Sequence, residues 1–116
     1  KCISLNSSTS HLTAISNDFG YDNTFKRIIE CFGKENDILI LLSTSGNSKN
    51  ILEALKYGKS KNLKTICLLG KGGGAAIQLS DINIVIKSNE TALIQQAHMN
   101  ILHYLAKEIE LFVKDN

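Results

Sequence analysis

None of the 116 residues is a proline. Proline-rich spacers are thereby excluded and, with no internal repeat or low-complexity stretch, the sequence reads as one domain spanning residues 1–116. No apolar run approaches the roughly 20 residues that a membrane-spanning helix requires. Excess charge is small: 13 basic residues against 11 acidic ones leave a formal +2 with no basic run, and aromatics make up only 6%. Neither a nucleic acid nor a membrane is therefore expected as a partner. Cysteine is limited to Cys2, Cys31 and Cys67. This odd, widely spaced set among apolar neighbours argues against disulfides or a cysteine metal cluster, and for reduced thiols in the core. Lys1 and Cys2 do not open a secretory signal, so a cytoplasmic setting is expected. Position 1 is not methionine, which suggests a chain whose beginning has been lost.

Apolar residues make up 43% of the chain, enough for a buried core in a domain of this size. Four short runs, Cys2 to Leu5, Asp37 to Leu42, Thr65 to Leu69 and Ile82 to Ile86, are aliphatic or β-branched and bounded by turn formers, which predicts strands. Helix-period segments separate them. Asn23 to Phe32 places Phe25, Ile28, Ile29 and Phe32 on one stripe and ends at Gly33, a fitting C-terminal cap. Asn50 to Ser60 does likewise with Ile51, Ala54 and Leu55. A long final helix begins near Ser88 or Asn89, with Glu90 in its first turn and an apolar stripe of Ile94, Ala97, Ile101, Leu105, Ile109 and Phe112. Strands alternating with helices predict a parallel sheet in an α/β fold.

The most informative segment is Ile38 to Asn50, where an apolar strand enters a Ser/Thr/Gly turn that opens an amphipathic helix. Helix N-termini leave backbone N–H groups unpaired and carry partial positive charge, so an oxyanion placed there meets donors and dipole together. Ser43, Thr44, Ser45 and Ser48 add hydroxyls, and Gly46 lets the backbone turn tightly and approach a ligand. The turn has neither the Gly-Lys-Ser/Thr of a P-loop nor the G-x-G-x-x-G of a dinucleotide fold. It suits one phosphate group on a small metabolite. The alternative is a plain helix cap by Ser48, worth roughly 1 kcal/mol. Such a turn at a strand's carboxyl end is also where open α/β sheets hold ligands. Gly70 to Gly74, with Lys71 solvated and no hydroxyls nearby, reads as a flexible strand-to-helix connection.

STSGNS after a strand, the GKGGG loop, S-x-L-T-A-I-x-N-D-F-G-Y from Ser10 to Tyr21, and I-Q-x-x-H-x-x-x-x-H from Ile94 to His103 together resemble the sugar isomerase (SIS) domain family. The likeness spans nearly the whole chain and is nearest to the enzymes that isomerise sedoheptulose 7-phosphate. It implies a flavodoxin-like, three-layer αβα sandwich, here without its N-terminal part. The implied activity is interconversion of sedoheptulose 7-phosphate and D-glycero-D-manno-heptose 7-phosphate, an aldose–ketose isomerisation that supplies heptose for bacterial lipopolysaccharide. A homotetramer with sites between subunits, and a zinc ion at each site, are implied as well.

By position, Ser43, Thr44, Ser45 and Ser48 match the family's phosphate loop, and Gln95 and His103 match its active-site glutamine and histidine. In that reading His103 is a general acid/base and, where zinc is bound, a ligand with Gln95. On a helix these two lie only about 80° apart but are separated by a rise of roughly 12 Å, so their side chains must lean together to meet one ion. His98 is about 140° from His103 and suits packing or a subunit contact. The family's catalytic glutamate belongs to a segment that would precede Lys1. Ser8, Leu93 and Gln96 stand where the family usually has charged residues, and His11 reads as a solvated helix-end residue. A non-catalytic sugar-phosphate-binding regulator, such as a replication-initiator-associating protein, is the alternative.

Overall fold

The computed structural model describes residues 1–115. Its elements are α1 (Thr9–Phe19), α2 (Thr24–Phe32), β1 (Ile38–Ser43), α3 (Lys49–Ser60), β2 (Lys64–Leu69), β3 (Ile82–Val85) and α4 (Thr91–Asp115), with 3-10 turns at Tyr21–Asn23 and Ala75–Gln78. The three strands are parallel in the order β1-β2-β3, so β1 and β3 are edges. Ile38 stands opposite Lys64 and Ser43 opposite Leu69, which brings the carboxyl ends of β1 and β2 side by side.

Period-2 alternation sorts β1 cleanly. Leu39, Leu41 and Ser43 are buried, while Ile38, Ile40 and Leu42 face outward. The buried row joins Cys67 and Leu69 of β2, Ile29 of α2, and Ile51, Ala54 and Leu55 of α3 in one core. On the other face, Leu68 and Ile94 are completely buried where α4 meets β2. Helices thus cover both faces, as the three-layer expectation requires, although the second layer consists of α4 alone. Ile40, Leu42, Ile82 and Ile84 remain between 38% and 54% exposed.

Three expected strands form within a residue or so of their predicted ends, but Cys2 to Leu5 is not a strand. Residue type favours β there, yet a strand exists only with a ladder partner, and none of the described strands pairs with it. Cys67 is a core thiol, whereas Cys2 and Cys31 are exposed. On α2 the inward face holds Ile28 and Ile29, and Cys31 falls to its flank. Phe32, expected on the apolar stripe, is 47% exposed.

Gly33 does follow α2, in an extended conformation rather than the left-handed one of a Schellman cap, and its N–H donates to the Ile29 carbonyl at 2.8 Å. The helix α1 was not evident from periodicity. Ser8 caps it, its Oγ accepting from the His11 N–H at 3.4 Å, so the residue that departs from the family pattern still serves a helix start. Glu90 lies one residue before α4, not in its first turn. Ser88 Oγ accepts from the Glu90 N–H at 3.0 Å. Among the described residues no helix is long and apolar enough to cross a membrane.

Candidate anion-binding site

Ser43 ends β1, and the chain turns through Thr44 to Ser48 before α3 begins at Lys49. The four hydroxyls have different tasks. Ser43 is buried, and its Oγ accepts from the Gly46 N–H at 3.0 Å while lying 3.4 Å from Ser48 Oγ, so it braces the turn from inside. Ser45 Oγ accepts from the Asn47 N–H at 3.1 Å. The half-buried Thr44 hydroxyl has no hydrogen bond among the described residues.

Ser48 occupies the cap position, but its side chain makes no cap bond. The plain-cap alternative therefore fails here. The Ser48 carbonyl accepts from Ile51 and Leu52, and buried Asn50 turns its Oδ1 to the Ile51 N–H at 2.9 Å. The N–H groups of Ser48, Lys49 and Asn50 have no acceptor among the described residues. These amides, at the positive end of a 12-residue helix beside the Ser48 hydroxyl, form a donor set suited to one phosphate. Lys49 adds a positive charge at the rim; its Nζ is 3.9 Å from Asp22 Oδ2, in an exposed pair of little energetic consequence.

Gly70 to Gly74 is not the flexible tether expected from its composition. The Ala76 N–H donates to the Gly46 carbonyl, and the Ala75 N–H to Asn47 Oδ1, both at 2.9 Å. Gly46 sits at φ 66, so close to this loop that a Cβ there would be 1.9 Å from the Gly73 carbonyl oxygen. The glycine loop is thus the back wall of the serine turn. Lys71 is exposed as expected, with a φ of 48. Asn47, which the residue pattern does not single out, joins the turn to this wall through its side chain; Asn after Gly is a turn signal.

The α4 residues stand apart. Ile94 packs on Gly70, and the Nε2–H of buried His98 donates to the Leu69 carbonyl at 3.2 Å, which bears out a packing role for His98. Counted round the helix from Ile94, Gln95 lies about 100° away and His103 about 180°. Both are exposed. No hydrogen bond among the described residues joins either to Ser43, Thr44, Ser45 or Ser48. Nor do the chain's residues fit zinc on their own: the described residues contain no group of three His, Cys, Asp or Glu side chains able to hold a metal.

The SIS domain family model matches residues 2–70. Phosphoheptose isomerase of Helicobacter pylori (strain HPAG1) is 47% identical over 108 residues, covering 93% of this chain and 56% of the relative. That of Campylobacter concisus is 44% identical, over 93% and 57%. Among solved structures, a phosphoheptose isomerase from Francisella tularensis superimposes with a TM-score of 0.87 at 34% identity, over 90% of this chain and 56% of that one. The Neisseria gonorrhoeae enzyme gives 0.89 at 34% identity, over 92% and 61%. The chain spans a little over half the length of the relatives it matches.

Proposed function

Since the chain belongs to the SIS domain family, we propose that it is the phosphate-binding portion of an isomerase that interconverts sedoheptulose 7-phosphate and D-glycero-D-manno-heptose 7-phosphate. The observation that carries this reading is the turn after β1. Three unpaired amides and the Ser48 hydroxyl converge at the start of α3, in a chain 47% identical to a phosphoheptose isomerase.

The reaction moves a proton between adjacent carbons through an enediolate, with the phosphate as a handle that fixes the reacting carbons at a set distance from the loop. Ser43 shapes the loop, and Thr44, Ser45 and Ser48 with the α3 amides hold the phosphate. His103 acts as general acid/base, because an imidazole both accepts and donates near neutrality. Gln95 contacts the sugar. Gln95 and His103 are exposed and make no hydrogen bond to their own serine turn among the described residues, and in this reading the site is completed between subunits of a cytoplasmic homotetramer. Zinc would need ligands beyond this chain's Gln95 and His103, and no step here depends on it.

The test is to incubate the full-length protein with sedoheptulose 7-phosphate and look for the aldose. Turnover is expected, with His103→Ala losing most of kcat and Ser45→Ala chiefly raising KM. Absence of product from well-folded protein would refute the isomerase. A non-catalytic sugar-phosphate-binding regulator would then be favoured, a reading that draws on exposed Leu93 and Gln96 at positions where the family carries charge.

A further inference from the structure

Besides the backbone bond from Ala76 to Gly46, the serine turn and the segment after the glycine loop are fastened to one another by one side chain. Asn47 donates from Nδ2 to the Ser45 carbonyl at 3.2 Å and accepts at Oδ1 from the Ala75 N–H at 2.9 Å, while its own N–H donates to Ser45 Oγ. Around it the fit is tight. A Cβ at Gly74 would lie 2.4 Å from the Ser45 carbonyl oxygen and 2.7 Å from Asn47 Oδ1. Asn47 itself is exposed, so burial of an apolar side chain does not account for its place.

We infer that Asn47 is a positioning residue for the anion site: by clamping the turn against the glycine loop it presets the amides of Ser48, Lys49 and Asn50 for phosphate. This rests on the reading of the turn as the phosphate site. Donors held in place before binding lose less freedom when the ligand arrives, so a loosened turn keeps every donor and still binds worse. The clamp has two ends, and each can be cut separately. Asn47→Ala removes the acceptor and the donor to Ser45. Ala75→Pro replaces the N–H at the far end with a ring carbon directed at Asn47 Oδ1, which breaks the same link from the glycine-loop side and leaves the residues of the serine turn unchanged.

Full-length protein and both variants are titrated with inorganic phosphate by calorimetry, and melting temperatures are recorded. Each variant is expected to bind phosphate about tenfold more weakly. The double variant should be no worse than Asn47→Ala alone, because both substitutions cut the same link. In turnover, the loss in kcat/KM should fall mainly on KM. If the variants melt earlier but bind phosphate as the parent does, or if the two effects simply add, the clamp is refuted. If Asn47→Ala does not fold, an undiminished affinity in Ala75→Pro is enough to refute it. A parent protein that takes up no phosphate overturns the assignment of the turn itself, and the clamp with it.

Discussion

Replacing Gly46 with alanine measures how tightly the two loops interlock. The new methyl carbon would stand 1.9 Å from the Gly73 carbonyl oxygen and 2.4 Å from its carbon. Ordinary contact begins near 3.5 Å, so the loops must separate by roughly 1.5 Å. That movement breaks the bonds from Ala76 N–H to the Gly46 carbonyl and from Ala75 N–H to Asn47 Oδ1, each worth about 1 kcal/mol. Holding a non-glycine residue at φ 66 adds about 1–2 kcal/mol. The total is about 3–4 kcal/mol.

Gly72→Ala supplies the control. Gly72 has a φ of 80, but nothing lies within 4 Å of a Cβ built there, so only the backbone cost of about 1–2 kcal/mol applies. Urea unfolding of the two variants and the parent, at one protein concentration, gives the comparison. Gly46→Ala should be the less stable of the two by about 2 kcal/mol, the value of the two lost bonds. Equal losses would show that the loops yield without cost, and the interlock argument would fail.

Leu55→Ala should destabilise the fold by about 2–5 kcal/mol in the same assay, since Leu55 is fully buried in the core between α3 and the sheet. Asp81 accepts from the Thr65 backbone N–H and hydroxyl, and these bonds hold its carboxyl below the ordinary value of 3.8. The unfolded chain then binds that proton more tightly than the native one, so the stabilisation is present above the ordinary value and is lost as pH falls through the lowered native one. Asp81→Asn should flatten the acid side of a plot of melting temperature against pH. Burial pushes the Cys67 thiol up, so mass-mapped alkylation should modify Cys2 and Cys31 in the folded protein and reach Cys67 only after denaturation.

Much of this architecture is legible in the residues because local pattern and global packing agree. β1 alternates, α3 carries Ile51, Ala54 and Leu55 on one face, and α4 shows a clear stripe near its start. The errors fall where partners decide the outcome. Residues 2–5 have strand composition but no ladder partner among the described residues, and Cys31 has apolar neighbours in the chain yet stays exposed. Ile109 and Phe112 continue the α4 stripe yet stay largely exposed. In the site, residue types foretold a donor-rich turn but not the division of labour within it. Ser43 reads as a ligand donor, and its Oγ also braces the turn by accepting from the Gly46 N–H. The glycine run reads as a tether and is a wall, because only tertiary contact reveals that Gly73 presses on Gly46.

The free flank of β1 carries a further meaning. A strand zipping onto it in parallel would finish beside Ser43, and the winding of the sheet would change direction at that seam. Helices leaving two such neighbours depart to opposite sides, and the gap they leave opens directly above the serine turn. Whatever pairs along Ile38 to Leu42 would therefore also border the serine turn.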